Sequence, residues 1–193
     1  MNDFIPSDFS LRSDDTDSIA KFDSKVDYSE ESPRILLDTP GLRLWHKLDR
    51  IFKVPKTILQ LHLTSPNVYS SPRKMTLCRL YGKVLIDDLN SFVYDVSIAG
   101  CNYRVDCVPD GFSILVSGYS EKLPNLLDSV ISRMLNIIQE MKEGEKARPG
   151  LAQKFDKAKE NLLRETKNFR LDPPYETASY MSRMMIEDNV SNY

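Results

Sequence analysis

The stretch SPRKMTLCRLYGKVLIDDLNSFVYDVSIAG, residues 71–100, runs directly into CNYRVDCVPDGFSILVSGY, residues 101–119. In the first half, Cys78, Tyr81, Leu85, Leu89, Phe92, Val96 and Ala99 recur every three or four residues, which is the spacing of one helix face. Ser71 offers a hydroxyl to cap the first free amides, and Pro72 suits a first helical position whose N–H has no partner anyway. Gly100 stands where a helix commonly ends in a left-handed residue. These signals predict one long helix from Pro72 to Ala99. In the second half the pattern changes to strands, Asn102 to Val108 and Phe112 to Tyr119, joined by the turn residues Pro109-Asp110-Gly111.

Upstream, Leu42, Leu44, His46 and Leu48 alternate with other residues and read as a strand. After Val54-Pro55, Leu59, Leu61 and Leu63 alternate with polar neighbours, the mark of a half-buried strand. Downstream, Leu123-Pro124 opens a second helix whose apolar side holds Leu126, Leu127, Val130, Ile131, Met134, Leu135, Ile137 and Ile138. A charged helix from about Leu151 to Phe169 turns Phe155, Ala158, Leu162 and Leu163 to the core. Pro173-Pro174 stops it and starts a fourth helix through Tyr180, Met184 and Met185. Strands, a helix, a hairpin and further helices give an α+β fold: a largely antiparallel sheet with helices packed on one face. No closing strand precedes Asn192-Tyr193, so the domain reads as truncated at its C-terminus.

Residues 1–34 form a different region. They hold nine acidic against four basic residues, although the whole chain carries a net charge of only −2. Their apolar residues follow no period, so 1–34 reads as an acidic flexible linker or arm and 35–193 as a partial α+β domain. The mildly positive body lacks the basic stripe of a nucleic-acid partner. No apolar run approaches the roughly 20 residues that span a bilayer. The three cysteines, Cys78, Cys101 and Cys107, show no metal-ligand spacing and suit a reducing compartment as small buried apolar groups. A cytoplasmic location follows as the expectation.

Few constellations suggest chemistry. Asp87-Asp88, near Lys83, reads as a solvated pair on the polar side of the long helix. The cations from Lys142 to Lys159 are interleaved with Glu143, Glu145, Asp156 and Glu160, so they read as a solvated face. Met181, Met184 and Met185 read as helical core or an interface, with an adaptable binding surface as the alternative. His46 and His62 lie on different predicted strands, and no Glu or Cys stands at helical spacing to either.

Several segments nevertheless carry a family resemblance. Asp3-Phe4-Ile5-Pro6-Ser7-Asp8-Phe9 resembles the segment that closes the N-terminal half of insulinase-type peptidases. Leu44-Trp45-His46-Lys47-Leu48-Asp49, with Phe52 and Pro55-Lys56 after it, resembles the opening of their middle domain, where His46 stands in place of an aromatic residue. Asp88-Leu89-Asn90, Tyr94-Asp95, Ala99-Gly100 and Tyr103 are similar to the family's long helix and next strand. Gly118-Tyr119-Ser120-Glu121-Lys122-Leu123-Pro124 resembles its next strand-to-helix junction. Asn168-Phe169-Arg170, Pro173-Pro174, Tyr180 and Met184-Met185 continue the likeness. On these residues the chain is identified as a member of the insulinase (insulin-degrading enzyme, pitrilysin) family of zinc metallopeptidases, covering the linker and most of the middle, third domain.

The resemblance implies four similar domains, arranged as two halves around a closed chamber that holds peptide substrates. It implies a zinc site in another domain, an inverted His-x-x-Glu-His whose imidazoles bind the metal while the Glu activates water. That motif does not occur here. No catalytic, cofactor-binding or metal residue is therefore assigned to this chain, and the zinc is expected in the full-length parent. The expected role is a non-catalytic, chamber-forming domain of a zinc metalloendopeptidase, with peptides and the other domains of the same chain as partners. The alternative is a structural or interaction subunit from a catalytically dead member of the family. The stretch Lys142 to Gly150 is longer than its family counterpart and reads as a surface-loop insertion.

Overall fold

The computed structural model describes residues 2–11, 32–49, 51–68, 70–108, 110–143 and 149–185. Most of the arm expected to be flexible, and residues 144–148 of the expected insertion, lie outside the described residues.

The described residues form two sheets. β1 (Arg34–Thr39) and β2 (Leu42–His46) form an antiparallel hairpin. The alternation around Leu44 had predicted one strand; the structure adds its partner and bends the chain at Pro40-Gly41, where Gly41 takes φ 89°. Arg43 holds Asp38 through two hydrogen bonds of 3.1 and 3.0 Å across this exposed ribbon.

The second sheet joins β3 (Lys56–Thr64), β4 (Asn102–Val108) and β5 (Gly111–Tyr119) in the order β3-β5-β4, all antiparallel. Its register creates rows of side chains on the inner face: Leu61–Ile114–Val105 and Leu59–Val116–Tyr103. Ile114 and Val116 are fully buried in the middle of these rows. The outer face is largely polar, with Gln60 donating to Ser113 Oγ at 3.1 Å and Arg104 paired with Asp106. Strict alternation on the central strand thus fixes which face receives the helices. At the hairpin end, a Cβ on Gly111 would collide with the Leu63 carbonyl oxygen, so a glycine lets β5 start against β3.

α1 (Pro72–Leu89) begins as its sequence predicts, with Ser71 Oγ accepting from the Lys74 amide at 3.3 Å. It does not run on to Ala99. A 3-10 turn over Asn90–Phe92 separates it from α2 (Val93–Ile98). Ser91 Oγ donates to the Asp88 carbonyl at 3.1 Å, a local bond that competes with the helical ladder, and Phe92 leaves helical geometry at φ −119°, ψ 6°. The break points Phe92 at Tyr103 of β4, with ring centroids 5.4 Å apart. α2 then closes with the Cys101 amide on the Val96 carbonyl and the Gly100 amide on the Ser97 carbonyl, both at 3.0 Å, and Gly100 at φ 70°.

α3 (Leu123–Glu143) packs on the sheet beside α1, and α4 (Leu151–Asn168) lies against α1. α5 (Pro174–Met184) follows a 3-10 turn over Phe169–Leu171 and is tied back by Tyr180 on Phe169, 5.0 Å between centroids. Leu85, Leu89, Leu126, Val130, Ile137 and Ile114 form the fully buried heart of the core. The apolar stripes are wider than the buried ones. Leu135, Ile138 and Leu163, all read as core residues, are exposed, because α3 and α4 each have only one covered side. The α+β reading holds, with antiparallel strands throughout.

That difference between apolar and buried is measurable. Leu126→Ala should lower unfolding free energy by about 2–5 kcal/mol through the cavity it leaves. Leu135→Ala should change it by less than about 0.5 kcal/mol, both read from urea unfolding midpoints.

Candidate functional site

Three helices meet around one carboxylate. Asp88, at the C-terminal end of α1, has a side chain only 1% exposed. Arg133 of α3 donates to its Oδ2 through Nε, and Lys154 of α4 donates to Oδ1 at 2.8 Å. Arg133 also grips Glu140, one face of α3 further along, through two bonds of 3.0 Å. Next door, Asp87 receives Lys157 at 2.7 Å and lies 3.6 Å from Lys154. The hydrogen bond from Lys157 is the main influence holding Asp87 below the usual carboxylate range, against the opposing effect of burial. Burial works to lower the Arg133 pKa, and the hydrogen bonds to Glu140 and Asp88 outweigh it and raise it.

This overturns the reading of Asp87-Asp88 as a solvated pair. Lys83 is not their partner; it pairs with Glu165 of α4 at 2.7 Å. The cations between Lys142 and Lys159 are not all solvated either: Lys154 turns inward to Asp88 of α1, while Lys157 pairs with Asp87 and stays mostly exposed. Position 88 carried a usable signal: it falls on the stripe of Val84, Leu85 and Leu89, and an acid on an apolar stripe demands a buried partner. The partners themselves lie 45 and 66 residues away. Both carboxylates are engaged by cations, so the cluster is suited to joining helices and not to moving protons.

A second arrangement binds the start of the chain to the body. Glu121, just after β5, accepts from the Ser7 amide at 2.7 Å, the Asp8 amide at 2.7 Å and the Ser7 hydroxyl at 3.0 Å. The Asp8 and Ser7 amides are the leading causes that bring Glu121 down to about 2. Phe9 packs edge-on against Tyr119, Phe4 stacks on Phe92, and Asn2 Nδ2 donates to the Asp95 carbonyl. Residues 2–11 of the acidic arm therefore rest along the junction of α2 and β5.

The histidines stay apart. His46 is on β2, and His62 on β3 pairs with Asp110 at 3.0 Å on the surface. Among the described residues, no group of three His, Cys, Asp or Glu side chains could hold a metal ion.

Among the large apolar side chains that remain exposed, two groups stand together in the chain. One is the β1–β2 ribbon and the turn after it, with Leu42, Leu44, Trp45, Ile51 and Phe52; Asp49 Oδ1 folds that turn by accepting from the Ile51 and Phe52 amides. The other is α5 and its approach, with Leu171, Tyr175, Met181 and Met185. Met181 and Met185 are thus surface residues and not helical core.

The architecture defines the class first: an α+β domain with helices against an antiparallel sheet, carrying apolar surface beyond its own core. The comparisons then give the family. A family model described as "Middle or third domain of peptidase_M16" matches residues 1–193. Insulin-degrading enzyme-like 1, peroxisomal, of Arabidopsis thaliana is 30% identical over 187 residues, covering 97% of this chain and 17% of that protein. Insulin-degrading enzyme of Drosophila melanogaster is 28% identical over 188 residues, again 97% of this chain and 17% of that protein. Among solved structures, pitrilysin superposes with a TM-score of 0.66 at 19% identity, over 86% of this chain and 15% of that one. The chain belongs to the peptidase M16 family as its middle or third domain, and spans about a sixth of the length of these curated relatives.

The buried carboxylate yields a clear expectation. Asp88→Ala should cost about 3–5 kcal/mol in denaturant unfolding, because Arg133 and Lys154 lose their shared counter-charge. Lys157→Ala, at a side chain that is 66% exposed, should cost less than about 1 kcal/mol in the same assay.

Proposed function

We propose that this chain is a non-catalytic wall of the peptide-holding chamber in a zinc metalloendopeptidase, with the zinc site in another domain of the parent protein. The observation that carries the reading is the family match across the whole chain, to a middle domain of relatives about six times longer. The donor set here does not fit the zinc: the two histidines lie on different sheets, and no hydrolytic step is assigned to this chain.

The contribution is steric and adhesive. The β1–β2 ribbon and α5 offer apolar surface for the neighbouring domains to cover, while the helix cluster around Asp88 keeps the wall rigid. The acidic arm joins the wall to the preceding half, with residues 2–11 seated on α2 and β5. Peptide substrates meet the wall inside the closed chamber. A cytoplasmic setting is part of this reading, although one relative carries a peroxisomal name. No helix among the described residues is long and apolar enough to cross a membrane.

The test is peptide cleavage by the full-length parent with and without a zinc chelator, alongside the 193-residue chain alone. Chelator-sensitive cleavage by the parent and none by the chain is the expected result. Cleavage by the chain alone contradicts the proposal. A silent parent contradicts it too and favours a structural subunit from a dead member of the family.

A further inference from the structure

Cys78 lies on α1 and Cys107 on β4, 29 residues apart, yet their Sγ atoms stand 3.1 Å from each other. Both are free thiols with part-buried side chains. A disulfide places its sulfurs at about 2.05 Å, so roughly 1 Å of movement separates this pair from a bond.

The neighbours hold this approach in place. Gly82, one helical turn after Cys78, faces β4: a Cβ there would lie 3.4 Å from the Phe112 ring and 3.8 Å from Cys107 Cβ. A side chain longer than a methyl would push α1 away from the strand. Cys107 pairs with Phe112 across the β4–β5 ladder. Phe112 packs edge-on against Tyr81 at 5.6 Å, and the Tyr81 hydroxyl donates to the Met134 carbonyl at 2.6 Å. Helix, hairpin and α3 therefore fix the two sulfurs from separate sides. Cys101, by contrast, is fully buried, with its thiol 3.9 Å from the Ala99 carbonyl.

We propose that Cys78 and Cys107 form a thiol–disulfide modification site, oxidised by a small-molecule disulfide of the glutathione class to a bond that ties α1 to β4. One protein thiolate attacks a sulfur of the oxidant, forming a mixed disulfide and expelling one small thiolate. The second protein sulfur then attacks the mixed disulfide, forms the Cys78–Cys107 bond and expels the other small thiolate. Two electrons pass from the pair to the oxidant, and the two protons leave on the released thiols. Burial, with the Cys107 sulfur beside it, pushes the Cys78 thiol up to about 12. The closed loop contains the helix break at Asn90–Phe92 and the whole of α2, so oxidation pins the segment on which Asn2 and Phe4 rest.

The experiment treats the intact protein, as the cell makes it, with oxidised glutathione at neutral pH, then alkylates free thiols and maps peptides without reductant. The expected result is a Cys78–Cys107 linked peptide that disappears on reduction, with Cys101 alkylated only after unfolding. Cys101→Ser should leave the link intact, and Cys107→Ser should abolish every intramolecular link to Cys78. Recovery of Cys78 and Cys107 as separate alkylated thiols, or as two separate glutathione adducts, overturns the proposal. So does a Cys78–Cys101 link in the Cys107→Ser protein.

Discussion

One carboxylate sets the geometry of the helices. Asp88 is withdrawn from water, and an ionised carboxylate in that position would cost several kcal/mol if left alone. Arg133 and Lys154 offset that cost, and because they arrive from α3 and α4 they can do so only when all three helices are in register. The apolar core around Leu85, Leu126 and Ile137 supplies the bulk of the driving force, which is not directional. The ion cluster adds direction: it specifies how far along its axis each helix sits. It also lies at the end of α1, where Ser91 bonds back to the Asp88 carbonyl and the helix breaks.

From that break the rest of the surface follows. Phe92 swings toward Tyr103 and makes the seat for Phe4, while Glu121 at the far end of β5 collects the amides of Ser7 and Asp8. The start of the chain is thus held at two points by unlike forces, aromatic contact at one and a charged acceptor at the other. Large apolar side chains of the β1–β2 ribbon and of α5, among them Trp45 and Tyr175, stay exposed among the described residues. On the proposed reading, exposed Trp45, Phe52 and Tyr175 are surface that other domains of the parent close over.

Much of this was legible in the sequence, for local reasons. Ser71, Pro72 and Gly100 act on backbone groups within a few residues, so both ends of the helical region could be read directly. Alternation along β3 specified a strand because a sheet with one covered face sorts side chains by twos, and the turn residues Pro109-Asp110-Gly111 marked β4 and β5 as a hairpin. The break at Asn90–Phe92 escaped notice because the apolar spacing continues across it, and periodicity cannot distinguish a continuous helix from two aligned ones. β1 was missed because its residues Ile35 and Leu37 are exposed and bear no clean alternation. The Asp88 cluster, the Glu121 clasp and the Cys78–Cys107 approach all join residues far apart in the chain, and only folding reveals such pairs. The family was legible because its motif residues, such as Trp45 and Asp49, sit in turns and surface positions that a generic core pattern would not produce.

The central claim is that this domain is a wall fitted against the other domains of a larger enzyme. Hydroxyl-radical footprinting of the intact full-length protein tests it most directly, because Trp45, Met181 and Met185 are all exposed in the domain by itself. The account predicts that these three side chains are protected in the intact protein relative to an unfolded control. Oxidation of all three as fast as in that control would contradict it.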